Sequence, residues 1–473
     1  MHFSIPDTQE FIDNTGAAYT GYNIHINGLF HCTVRYKQLL NFHEQLTKEF
    51  DVKLPNFPSK KLFPLTNNQQ EERRTCLEKY IQTIGQNSLI NNCELLNGFL
   101  INAQQETSNK ISSIQDINIY MFKNNIITLK SSTSESTLCV LKKALRTINL
   151  NNNYDYLFAL YIVSDNINNK KTAIIRKLQN FESPILTMNN INIKNSKIVI
   201  GKNYWDVNND DKLMNDPVSL DLLYIQTIAE IERGWIKVPH DYTEHLDDLK
   251  IDNNKMEYLN VVRNFKYYGY IQFSACYCDY PRPGTKVLIA IGKNELSIRT
   301  IDDEDDEEDD VEEHETIFKV TRMRCWRITT LHNNTDKDDD DDTMKYSLEL
   351  SFEYLVAKNQ LQWVSISSEQ AILMSVSLQG MIDELLMKKT DDVHQKSSKT
   401  WTYIMRDGQK KKIIKSSSVF DDDINNEDDK TSEFIDKKIN KNVGVPLKVD
   451  KGKNNDCDIM ENNAFYMIGD DDL

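Results

Sequence analysis

Residues 19–36 alternate apolar and polar side chains with the period of a strand, through Tyr22, Ile24 and Ile26 and then Phe30, Cys32 and Val34. The Asn27-Gly28 pair between the two runs predicts a tight two-residue hairpin. From Tyr36 to Phe50 the period changes: Leu39, Leu40, Phe42, Leu46 and Phe50 fall on one helical face. A proline-punctuated loop, LPNFPSKKLF, follows over 54–63, and helical spacing returns over 68–86 and 93–105. The first hundred residues thus read as a β-meander followed by helices. Short strands surround one helix (136–145) between 111 and 201, which suggests a ubiquitin-like lobe. The pattern from 216 to 268 is helical, with Leu220, Leu223, Tyr224, Ile228 and Ile231 sharing a face. Strands resume at 270–277, 287–292, 296–300, 318–331, 346–356 and 360–366, and one long amphipathic helix, 368–388, closes the pattern. Antiparallel strands capped by a C-terminal helix outline a PH/PTB-type sandwich.

Charge changes this picture only locally. The net charge of −16 argues against a protein that coats nucleic acid. Yet Asp302–Glu315 holds 12 carboxylates and Asp336–Asp342 holds six, and without these two inserts 55 basic residues face 54 acidic ones. Both inserts fall between strands, where added loop length costs little closure entropy. Neither has the alternating oxygen ligands, central glycine and distal Glu of an EF-hand, so no metal site is expected. The eight cysteines are scattered without C-x-x-C spacing and read as reduced packing residues. No stretch approaches eighteen apolar residues, the N-terminus lacks signal-peptide character, and residues 390–473 are polar enough to be expected disordered. A cytosolic location follows as an expectation. Motifs for nucleotide, zinc or acyl-transfer chemistry are missing, so neither an enzyme nor a cofactor is expected.

Arg35-Tyr36 at a strand end, Lys60 closing the proline loop and Arg73 in ERRTCLEKY supply the parts of a phosphate pocket: a forked donor, a point charge and a flat aromatic wall. Arg35-Tyr36, Leu54-Pro55-x-x-Pro58-x-Lys60 and Arg73-x-x-x-Leu77-Glu78 resemble the PX-domain signature. That resemblance implies phosphatidylinositol 3-phosphate as ligand. Arg35 would hold the 3-phosphate, Tyr36 would pack on the inositol ring, Lys60 would meet the 1-phosphate and Arg73 would bond ring hydroxyls. Val34 stands where a second basic residue is common. With 10 basic and 11 acidic residues in 1–110, binding must come from the pocket and be reinforced by a second contact.

The segments NYWD (203–206), LLYIQTIAEIERGWI (222–236), YYGYIQF (267–273), VTRMRCWRIT (320–329), LELSFEYL (348–355) and LQWVSISS (361–368) resemble the PX-FERM sorting nexins. The resemblance implies an α+β multidomain chain. A PX domain (1–108) would be followed by three FERM lobes, ubiquitin-like (111–201), all-α (202–268) and PTB-like (269–389), and then by the disordered tail. In that family the third lobe takes cytoplasmic tails of transmembrane receptors bearing NPxY or NxxY/F motifs. The candidate groove lies between the edge strand 320–331 and the helix 368–388, with Trp326, Ile382 and Leu386 facing the peptide. Core packing is the competing assignment for each of the three. The last six residues, Ile468-Gly469-Asp470-Asp471-Asp472-Leu473, are similar to a family C-terminus that engages the retriever part of the Commander recycling assembly. Asn462-x-x-Phe465 has the NxxF form of the groove's own ligand, so the tail is a candidate for self-occlusion. Together these features imply an adaptor on early endosomes that returns cargo to the cell surface and spares it lysosomal degradation. A FERM linker between membrane and actin is the alternative.

Overall fold

The computed structural model describes residues 1–473 except 14, 51–52, 62, 92, 109–111, 122–124, 167–170, 192, 302–313, 333–345, 388–400, 414–458, 463 and 466–473. In the first domain β1 (Phe3–Ser4) and β2 (Thr8–Ile12) line one edge of β3 (Ala18–Ile26), and β4 (Leu29–Arg35) lines the other. The turn between β3 and β4 places Asn27 and Gly28 at φ 49° and 83°, the left-handed pair this hairpin needs. Four helices follow: α1 (Tyr36–Glu49), α2 (Asn67–Gln86), α3 (Ser88–Asn91) and α4 (Glu94–Ser108). Thr66 and Gln69 cap α2 reciprocally. The predicted face of α1 packs inward, and Phe42 stacks on Phe99 with ring centroids 4.6 Å apart.

The second domain is a β-grasp sheet ordered β6-β5-β9-β7-β8, with β5 (Ile114–Met121) and β9 (Ser196–Lys202) parallel at its centre. Its other strands are β6 (Asn125–Ser132), β7 (Phe158–Asn166) and β8 (Lys171–Lys177), and α5 (Thr137–Thr147) and α6 (Pro184–Asn189) complete it. The third unit is helical: α7 (Asn209–Leu213), α8 (Pro217–Glu232), α9 (Thr243–Ile251) and α10 (Lys255–Val262). Asp216 caps α8 through Ser219 N–H, and Pro217 occupies the first turn, where its missing N–H is harmless.

The last lobe is one antiparallel sheet. It contains β10 (Ile271–Gln272), β11 (Cys276–Cys278), β12 (Thr285–Gly292), β13 (Glu295–Thr300), β14 (Glu315–Lys319), β15 (Met323–His332), β16 (Tyr346–Ala357) and β17 (Gln360–Ser367), covered by α11 (Ala371–Met387). Two expectations change here. The single strand expected over 318–331 is split by a 3-10 turn, Val320–Arg322, whose buried Val320 turns the chain between two parts of the sheet. Glu315, counted with the first acidic insert, belongs to β14. Its carboxylate pairs with Lys266 and accepts hydrogen bonds from Tyr267 (2.7 Å) and Ser297 (2.5 Å). Partial burial acts against its charge, but these donors prevail and hold its pKa below the usual value.

The tail is not wholly without order. Residues 401–413 form a hairpin of β18 (Thr402–Ile404) and β19 (Lys410–Lys412), and β20 (Ile459–Glu461) joins the last lobe's sheet. The polar composition that predicted disorder hides Trp401, Tyr403 and Ile413, all buried in the first domain's core.

The first two domains share a buried polar joint. Glu182, fully buried, pairs with Arg176 at 2.6 Å and accepts from Thr187 Oγ1 at 2.7 Å, while Gln104 of α4 bridges to Thr187 and to Ser183 N–H. His31 of β4 donates Nε2–H to the Leu100 carbonyl at 3.1 Å, with Nδ1 4.0 Å from Glu182 and Phe181 edge-on to its ring. Burial drives the His31 pKa down to about 4 although Glu182 pulls it upward. The unfolded chain takes up this proton near the ordinary histidine value of about 6.5 and the folded chain does not. Stability therefore falls as pH drops from about 6.5 toward 4, by at most roughly 1.4 kcal/mol per pH unit. Urea unfolding at about pH 7 and about pH 5 should show this slope, reduced in His31→Gln; equal slopes in the two proteins would assign it to other groups.

Candidate functional site

Arg35 ends β4 and begins α1, with its N–H fixed by Gln38 Oε1 at 2.8 Å. Its guanidinium lies 4.0 Å from the Tyr19 ring centroid, and Nη2 is 3.8 Å from Asp13. Tyr36 donates its hydroxyl to the Pro58 carbonyl at 2.7 Å, which ties α1 to the proline loop. The Arg73 guanidinium sits 4.4 Å above the Tyr36 ring, and Nη2 is 3.5 Å from the Ser59 carbonyl. Lys60 is the next residue of that loop and is exposed. The fold thus gathers Arg35, Tyr36 and Arg73 around one rim with Lys60 beside them. Two arginines held over aromatic faces and a solvated lysine can receive a phosphate and an adjoining ring. Phe63, further along the loop, is 81% exposed, an apolar side chain presented outward. The parts that sequence reading missed are Tyr19, Asp13 and a contact from far along the chain: Arg35 Nη1 donates to the Arg406 carbonyl at 3.2 Å.

In the last lobe β15 is the edge strand, and β20 adds to it antiparallel, pairing Cys325 with Glu461, Trp326 with Met460 and Arg327 with Ile459. The chain then turns. Asn462, fully buried, donates its amide to the carbonyls of Val320 (2.8 Å) and Met323 (2.6 Å), and its main-chain N–H reaches the Arg324 carbonyl at 3.0 Å. Its side-chain oxygen accepts from Ala464 N–H and its carbonyl from Phe465 N–H, closing the Asn-x-x-Phe turn. The 3-10 break at Val320–Arg322 explains this recognition. Together with the register shift between Met323 and Cys325, it turns the carbonyls of Val320, Met323 and Arg324 toward one asparagine.

Met460 is buried between β15 and α11, with Sδ 3.3 Å from Ser375 Oγ, and it borders a cavity of about 290 Å³ where all four folded units meet. Trp326 lies under this contact. Its side chain is completely buried and its indole N–H donates to Ser375 Oγ at 2.9 Å. Trp326 and Ile382 are thus core residues whose packing shapes the groove floor, and Leu386 packs partly buried against the same cluster. The polar contacts to the turn come from main-chain groups, which no side-chain signature in the sequence marks. Residues Ile468 to Leu473 lie outside the described residues. No helix among the described residues is long and apolar enough to cross a membrane, and no cluster of metal-ligating side chains occurs among them.

Family profiles match nearly all of this architecture. The PX domain profile covers 22–103, the F1 lobe of the sorting nexin 17/27/31 FERM domain 115–205, the F2 lobe of the 17/31 FERM domain 206–266, and the sorting nexin 17 FERM C-terminal domain 269–386. Sorting nexin-17 of Danio rerio is 37% identical over 485 residues, covering 100% of both chains. Human sorting nexin-17 is 37% identical over 482 residues, again covering 100% of both. The chain belongs to the sorting nexin-17 family. Human sorting nexin-31 is more distant, 31% identical over 82% of this chain and 86% of its own. Membership in this sorting nexin family, with a PX domain joined to three FERM lobes, is the make-up of an endosomal sorting adaptor and not of an enzyme.

Proposed function

We propose that this sorting nexin reads two signals at once, phosphatidylinositol 3-phosphate on the early endosome through Arg35, Tyr36, Lys60 and Arg73, and an Asn-x-x-Tyr/Phe receptor tail through the groove between β15 and α11. The observation that carries the reading is the seating of its own Asn462-x-x-Phe465 turn. A groove that accepts an extended strand, an asparagine on three carbonyls and an apolar residue two places earlier is suited to the same grammar in a receptor tail. The chain's own segment then acts as a placeholder that cargo displaces. Ile468 and Leu473 supply two apolar anchors with acidic residues between them, suited to a basic-rimmed pocket on the retriever part of Commander. Lipid, cargo and recycling machinery held by one chain return receptors to the surface before lysosomal delivery.

The direct test is calorimetric titration of an NPxY peptide into the protein lacking residues 459–473. Saturable binding that is lost when the peptide asparagine becomes alanine is expected. Binding indifferent to that asparagine, or none, would overturn the groove assignment.

A further inference from the structure

The hairpin 401–413 stands about 370 residues from Arg35 in sequence yet touches it in space (371 residues separate the contact). Its attachment to the first domain is extensive. Gln45 of α1 exchanges hydrogen bonds with Thr402 N–H and the Thr402 carbonyl, at 2.8 and 2.7 Å. Gln38 donates to Tyr403 Oη and to the Ile404 carbonyl, and Arg406 N–H donates to Glu106 at 2.6 Å. The Arg406 guanidinium reaches the Thr33 carbonyl at 2.8 Å and Thr107 Oγ1 at 2.6 Å. Ile413 Cγ2 lies only 2.0 Å from where a Cβ on Gly98 would stand, so α4 needs a glycine there to admit the hairpin. These contacts run the hairpin along α1 with its Asp407-Gly408 turn at the Arg35 end.

The outward strand of this rigid attachment is Lys410-Lys411-Lys412. All three are exposed and have no acidic partner among the described residues. At the turn, Lys37 Nζ lies 3.8 Å from the Cβ position of Gly408 and adds a fourth cation. At about 3.3 Å per residue, the lysine strand begins within roughly 7 Å of the turn that abuts Arg35. Asp407 is the one acidic side chain on the hairpin. A patch of +4 against −1, held without further ordering beside a phosphate-reading pocket, complements a sheet of negative charge lying flat against it.

We infer that Lys410, Lys411, Lys412 and Lys37 form a second membrane contact, which binds the anionic bilayer surface around the lipid that the pocket selects. The inference rests on the lipid reading of the pocket given above, and it supplies the reinforcement that a near-neutral first domain lacks. The tail hairpin is then a part of the lipid-binding domain and not a connector.

The test uses the full chain and three vesicle compositions: phosphatidylcholine alone, with phosphatidylinositol 3-phosphate, and with that lipid plus phosphatidylserine. Wild type should bind the third more tightly than the second, at least about tenfold, with the gain disappearing at high salt. The triple variant Lys410→Glu, Lys411→Glu, Lys412→Glu changes exposed positions only. It should match wild type on the second composition and lose the gain on the third. Arg35→Ala tests the underlying reading separately. If Arg35→Ala still binds the second composition, the pocket reading fails. If Arg35→Ala fails to bind while the triple variant keeps the phosphatidylserine gain, or if wild type shows no gain, the hairpin inference is overturned. Loss by the triple variant of an acidic protein partner, with vesicle binding intact, also overturns it.

Discussion

Vesicles carrying phosphatidylinositol 3-phosphate should sediment the wild-type chain and leave Arg35→Ala in the supernatant. A charge-assisted hydrogen bond contributes about 1.5–3 kcal/mol, and a guanidinium can make two to one phosphate, so the loss should be on the order of a hundredfold or more. The surroundings enlarge the effect. Removing the guanidinium leaves the Asp13 carboxylate, the Arg406 carbonyl and the electron-rich Tyr19 face beside the proposed phosphate site. Arg35→Lys keeps a charge but not the fork, and should fall between the two. The N-terminus of α1 does not depend on the Arg35 side chain, because its cap is the Arg35 N–H to Gln38 bond. Folding should therefore survive, and near-wild-type circular dichroism beside lost sedimentation is the expected pair of readings. Undiminished sedimentation of Arg35→Ala would remove the pocket from the account.

The second large effect has the opposite sign: Asn462→Ala should raise the affinity for an added NPxY peptide. On the proposed function the peptide has to displace a segment that is covalently attached, and attachment gives even a weak ligand an effective concentration up to the millimolar range. Asn462 holds that segment with two amide hydrogen bonds, to Val320 and Met323, and one main-chain bond to Arg324, and it caps its own turn. Two buried side-chain hydrogen bonds at about 1 kcal/mol each predict a gain of roughly tenfold to a hundredfold in apparent affinity. Deleting 459–473 removes the β20 pairing and Met460 as well as Asn462, and should give at least the same gain. Calorimetry on the three proteins decides the matter, and identical peptide affinity throughout would mean that the tail and cargo do not compete.

What the sequence displayed was local. The Asn27-Gly28 hairpin, the α1 face through Phe42 and Leu46, and the change from helical to alternating pattern near 270 each depend on neighbours within a turn or a strand pair. The grouping of Arg35, Tyr36 and Arg73 was legible because a tyrosine beside a strand-ending arginine and a proline loop makes a compact pattern; their role is part of the proposed function. Three features were not legible, and each depends on distant parts of the chain. Trp326 sits in an edge strand, but its indole N–H is satisfied by Ser375 on α11, so it points to the core. Glu315 ends an acidic run, yet Lys266 and Tyr267 make it a strut between the helical and last lobes. The hairpin 401–413 had an Asp-Gly turn signal between alternating residues, but its apolar side chains are too few to form a core alone and are completed only by α1 and α4.

The buried joint around Glu182 and His31 has a geometric result for any receptor that this adaptor holds. It fastens the PX domain to the ubiquitin-like lobe, while Gly28 at the β3–β4 turn abuts Ile372 at the start of α11. These contacts place the proposed lipid pocket and the proposed peptide groove on one connected body, as the two jaws of a caliper. On the proposed function, a receptor emerging from the same bilayer would have to span that opening before its asparagine arrived. The proposed function then predicts a minimum spacer between the last membrane-embedded residue and the motif, so that moving the motif closer to the membrane should weaken capture of a receptor on vesicles.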